Sequence, residues 1–83
     1  MSSHPCVLVV AEPQLCDALA LAVRTNGYGV FECRTPLDAI QVLERHSSDI
    51  AYAVLSPATP RALELRELLA EEYPAIQPLL LST

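Results

Sequence analysis

The run Cys6-Val7-Leu8-Val9-Val10 contains no polar residue and is rich in β-branched side chains. A strand that is apolar at every position, rather than at alternate ones, is buried on both faces, as in a parallel sheet covered by helices. Parallel neighbours need a crossover between them, and the next segment supplies one. Over residues 13–26, Leu15, Ala18, Leu19, Ala22 and Val23 recur at the spacing of a single helical stripe. Asn26-Gly27 then stops the helix, because glycine tolerates the left-handed conformation that follows a last turn.

The alternation continues to the end of the chain. Residues 28–33 are a second strand with a more polar end, suited to a sheet edge. Thr35-Pro36-Leu37-Asp38 opens a helix: Thr35 caps it, Pro36 fits its first position, and Asp38 places negative charge at its positive end. His46-Ser47-Ser48-Asp49 closes it. Ile50-Ala51-Tyr52-Ala53-Val54-Leu55 is a third buried strand. The loop Ser56-Pro57-Ala58-Thr59-Pro60 leads into a third helix through a second Thr-Pro start. Leu65, Leu68 and Leu69 form its stripe, and Tyr73-Pro74 ends it. Residues 76–81 are a fourth strand carrying Pro78 and no charge.

The order β-α-β-α-β-α-β calls for right-handed crossovers and an open parallel sheet. Ligands in such sheets sit at the carboxyl ends of the central strands. Here that mouth is lined by Ala11 and Glu12, by Ser56, and by Ser82 and Thr83. With 83 residues the chain makes one domain, spanning 1–83, near the size where a single core is marginal. A net charge of −5, without a lysine, argues against nucleic acid and anionic membrane surfaces, both of which need a basic stripe. No apolar run reaches the roughly 18 residues of a bilayer span, and the first residues have no basic region of a signal peptide, so a cytoplasmic location is expected. Cys6, Cys16 and Cys33 are too few for a disulfide framework and lack metal-ligand spacing, and they read as small buried hydrophobes.

The VLVV run, GYGV, a strand-ending residue followed four positions later by proline, and EYPAIQPLLLS together resemble the receiver domain of bacterial response regulators. The resemblance implies an α/β fold: a flavodoxin/CheY-like open parallel sheet, truncated to about four strands in the order 2-1-3-4, with three helices. It also puts Ser56 at the position of the aspartate that accepts a phosphoryl group. The family's acidic pair, which holds magnesium, falls on Ala11 and Glu12, and its switch hydroxyl on Ser82. The family's lysine has no counterpart here. Serine is uncharged and is not a nucleophile without a base. One carboxylate offers too little charge for a magnesium ion that wants several hard oxygens.

These departures imply a non-catalytic pseudo-receiver that works by binding a protein: a kinase, a regulator or itself. No cofactor and no metal are expected. A phosphorylatable receiver whose site is displaced, or the N-terminal part of a longer regulator, are the alternatives. Asp49 is the only acid near the third strand, and it lies at the wrong end for the pocket. A fourth strand left at the sheet edge, and a sheet face short of its last helix, point to a homodimer. One route is packing through Leu15, Leu19 and Val23 on the first helix, which is favoured. The other is strand extension through residues 76–81, with Leu79 and Leu81 in the contact.

Overall fold

The computed structural model describes residues 5–59 and 61–81. Pro60, Ser82 and Thr83, all of which the sequence reading uses, lie outside the described residues. The elements run β1 (Cys6–Val10), α1 (Pro13–Thr25), β2 (Gly29–Cys33), α2 (Pro36–His46), a short 3-10 turn (Ser47–Asp49), β3 (Ile50–Leu55), α3 (Ala62–Glu72) and β4 (Gln77–Leu80). All strand pairs are parallel, and the order across the sheet is β2-β1-β3-β4. This is the flavodoxin-like topology expected from the sequence.

The sheet divides the core in two. Register places Leu8 beside Ala53 and Phe31, and Val10 beside Leu55 and Cys33, on one face. There they pack with Ala39 and Leu43 of α2 and with Leu65 and Leu69 of α3. Val7, Val9 and Ala11 point to the other face and meet Cys16 of α1. Among the described residues one face therefore carries α2 and α3 and the other α1.

The helix boundaries follow from local chemistry. After α1, Gly27 adopts φ +89°, its N–H donates to the Arg24 carbonyl, and the Tyr28 N–H donates to the Val23 carbonyl. This paired closure satisfies carbonyls that the helix end leaves open. Thr35 caps α2, its Oγ1 accepting from the Asp38 N–H at 3.2 Å. The start of α3 differs from the sequence reading. The helix begins at Ala62 with Arg61 before it and no side-chain cap. Arg61 sits at φ +61°, and Thr59 is buried among the loop residues instead of capping. Tertiary burial of Thr59 has overridden the local Thr-Pro signal.

Leu15, Leu19 and Val23 are half-buried and pack against the smaller cluster of Val7, Val9, Ala11 and Cys16. The stripe expected to be an open docking surface is thus largely engaged by the chain's own sheet. Leu21, on the outer side of α1, is the exposed leucine of that helix.

Candidate functional site

The carboxyl ends of β1 and β3 are adjacent, because these strands pair in register from Val7–Tyr52 to Val10–Leu55. Chain continuation then sets Ala11 and Glu12 opposite Ser56. The Ser56 N–H donates to the Val10 carbonyl at 2.9 Å, extending the ladder one step and fixing the residue. Its carbonyl accepts from the Thr59 N–H at 3.1 Å, which starts the turn toward α3.

Ser56 is only 2 % exposed. Its hydroxyl donates to Glu12 Oε1 at 3.0 Å and accepts from the Ala58 N–H at 3.3 Å. Glu12 occupies the cap position of α1 but makes no side-chain cap bond, its carboxylate turning across the mouth to Ser56 instead. The negative charge still lies at the positive end of α1, where it is favourable. Ala11 is completely buried; its side chain packs in the smaller cluster and its N–H donates to the Cys33 carbonyl at 3.2 Å.

The structure therefore brings together Glu12 and Ser56 from the sequence-predicted set and gives Ala11 a structural place beside them. Ser82 falls outside the described residues. Chemically the pair is a closed hydrogen bond. A nucleophile needs an approach path as well as a proton acceptor, and Ser56, at 2 % exposure, has no open path from solvent. One oxygen of Glu12 is taken by the hydroxyl. Among the described residues no group of three His, Cys, Asp or Glu side chains is placed to hold a metal ion.

Sequence reasoning missed Thr59. It is 5 % exposed, and its Oγ1 has no hydrogen-bond partner among the described residues. No local pattern announces this, because Thr before Pro reads as a cap. The cysteines are as expected for hydrophobes. Cys16 and Cys33 are buried, and Cys6 is half-buried. Burial pushes the Cys33 thiol up to about 12, with Asp38 and then Cys16 adding to the shift. Burial also raises Cys16, helped by the nearby Glu32 and Asp17 carboxylates. Neither is a reactive thiolate.

Solved structures share this fold. A CheY-like response regulator receiver domain protein from Methanospirillum hungatei JF-1 superposes with a TM-score of 0.82 at 18 % identity, over 94 % of this chain and 63 % of that one. A response regulator receiver protein from Pseudomonas putida gives 0.78 at 22 % identity, over 100 % of this chain and 73 % of that one. The fold is that of the CheY-like receiver domains. The chain spans less than two thirds of the first relative's length. No protein-family model matches the sequence, and no curated protein does.

Proposed function

We propose that this chain is a pseudo-receiver: a module of bacterial two-component signalling, working in the cytoplasm, that binds a protein without accepting a phosphoryl group. The observation that carries this reading is the buried Ser56 hydroxyl, donated to Glu12 at the mouth where receiver chemistry would take place. The receiver fold supplies the signalling context. The Glu12 carboxylate, at hydrogen-bond distance from Ser56, opposes the approach of an anionic phosphodonor. No lysine exists anywhere in the chain to offset that charge.

The test is incubation with a small phosphodonor and Mg²⁺, followed by intact-mass measurement. The mass stays unchanged, and Ser56→Asp alone does not restore uptake. A stable gain of one phosphoryl group that disappears in Ser56→Ala overturns the proposal and favours a working receiver. Asp49 offers no rescue for that alternative. It is exposed in the turn before β3, at the opposite end of the strand from the mouth.

Coverage of the relatives supports a second reading, in which these residues are the first part of a longer regulator. The mass of the native protein from its own cell decides between a short and a long form.

A further inference from the structure

We propose that the outer edge of β2 takes up an extended segment of another protein as an added strand, one that alternates basic and apolar side chains. The inference deepens the interaction-module reading by naming the chemistry of the partner, and it rests on that reading for its signalling sense. In the flavodoxin-like order further strands join beyond β4, so β2 is an outer strand however far the chain runs.

The backbone of β2 is set for pairing. The Gly29 N–H donates to the Pro5 carbonyl at 3.1 Å, and the Cys33 carbonyl accepts from the Ala11 N–H at 3.2 Å. Between these two bonds the register on β1 runs without a shift from Cys6–Gly29 to Val10–Cys33. Alternate residues of a parallel strand bond to the neighbour on one side. Gly29, Phe31 and Cys33 therefore serve β1, and the N–H and carbonyl groups of Val30 and Glu32 point away from the sheet. No proline, lysine or bulge blunts this edge. Val30 and Phe31 are half-buried on opposite faces of the strand, and an added strand covers both.

The two faces of the edge call for different side chains. On the α2 side, a groove of about 470 Å³ lies beside Phe31 and is bordered by Asp38, Glu44, Arg45 and His46. Phe31 stacks on His46, with ring centres 4.9 Å apart, which makes a flat wall. Among the described residues neither Asp38 nor Glu44 is in an ion pair, and together they outnumber Arg45, so the groove is net negative. A side chain beside Phe31 in the added strand shares its face and enters this groove. A lysine or arginine fits there. Its methylene stem lies along the aromatic wall, and its charged head reaches the carboxylates. On the α1 side Val30 packs with the smaller cluster, and an apolar side chain extends that cover. Glu32, on the same side, is already held by Arg24 at 2.9 Å.

This combination suits strand addition, in which backbone bonds give affinity and pockets for alternate side chains give specificity. A second copy of this chain does not suit the edge. It would bring two acidic grooves together, each on a chain of net charge −5.

The probe is a synthetic peptide, Thr-Lys-Val-Lys-Val-Lys-Val-Thr, titrated into the isotope-labelled 83-residue chain while NMR follows the backbone amides and their hydrogen exchange. Saturable binding is expected. At a peptide concentration about ten times Kd, exchange of the Val30 and Glu32 amides slows about tenfold. The Phe31 and Cys33 amides, already bonded to β1, change little. Replacing the lysines by glutamate, or methylating every backbone nitrogen of the peptide, abolishes binding. Asp38→Asn combined with Glu44→Gln weakens the lysine peptide about fivefold, as expected for two partly exposed ion pairs, with unchanged far-UV circular dichroism. No saturable binding at millimolar peptide, or protection that misses Val30 and Glu32, overturns the proposal. So does undiminished binding of the glutamate peptide, of the methylated peptide or by the doubly substituted chain. Protection of the same two amides on raising the chain's own concentration makes a second copy the occupant and overturns it as well. The two readings fail separately, because phosphoryl uptake at Ser56 leaves the peptide result standing and a peptide that does not bind leaves the intact-mass result standing.

Discussion

Ser56 and Thr59 are both buried hydroxyl residues of the loop after β3, and their surroundings differ. Ser56 donates to Glu12 and accepts from the Ala58 N–H. Thr59 Oγ1 has no hydrogen-bond partner among the described residues. An unpaired buried hydroxyl costs roughly 1–3 kcal/mol, and an apolar side chain of the same shape avoids that cost. Thr59→Val is therefore expected to stabilise the fold by about 1 kcal/mol, raising the thermal midpoint by about 4–8 °C. A lower midpoint would show that the hydroxyl has a partner in solution. Cys33 yields a prediction with a defined sign. Its folded-state value is raised to about 12 by burial. Below the value of an unfolded cysteine, near 9, the thiol is neutral in both states and its burial is fully tolerated. Above it the unfolded chain sheds a proton that the folded chain keeps, so stability falls as pH rises from about 9 to about 12. Urea midpoints across that range measure the fall, and Cys33→Ala should reduce it, leaving the part that the raised Cys16 thiol contributes. At this scale the sequence was half legible. Ser56 could be placed from the strand end, but its bond to Glu12, 44 positions away, required the β1–β3 register.

At the scale of elements, legibility followed the locality of the signal. β1 and β3 were read to the residue because continuous apolar runs have sharp ends. α1 and α2 were read from caps, proline and glycine, all of which act within a few residues. The start of α3 was misread because the Thr-Pro pattern is local while the burial of Thr59 is not. Arg61 then takes the left-handed conformation that joins the loop to Ala62, a geometry that costs an ordinary residue about 1–2 kcal/mol. Gly29 shows the opposite case, a constraint that no local pattern carries. It pairs with Cys6 across β1 and β2, and a Cβ at this position would lie 2.8 Å from the Cys6 Sγ. Gly29→Ala forces that thiol to rotate away, and since the sulfur is the far end of a half-buried side chain a loss of about 1 kcal/mol or less is expected. Pairing it with Cys6→Ala, which removes the opposing sulfur, should recover most of the loss. A double-mutant cycle without coupling would show that the cost lies elsewhere.

At the scale of the whole molecule, the decisive property is the unequal cover of the sheet. Among the described residues α2 and α3 enclose the larger cluster, while α1 shields the smaller one, leaving Tyr52 and Leu79 open on its side. The topology was legible because alternating elements with short links leave few arrangements. The unequal cover was legible only as a count of helices per face, and which side chains stay open depended on where α1 settles. Val9 and Val10 give a controlled test. They are adjacent in β1, equally buried, chemically identical, and on opposite faces. Truncation to alanine removes the same two methyl groups from each, so the transfer contribution is equal. The remaining difference is how far the surroundings can close over the space left behind. Beneath Val9, a single helix borders an open half-face and is free to shift. Val10 lies in a cluster held by two helices that also pack against strands on either side. Val10→Ala is therefore expected to cost more than Val9→Ala, by about 1 kcal/mol of a total stability on the order of 4–12 kcal/mol. Urea denaturation of the two variants under one set of conditions measures the difference. Equal costs would mean that α1 is held as firmly as the two-helix layer, and would require the open half of its face to be covered in solution.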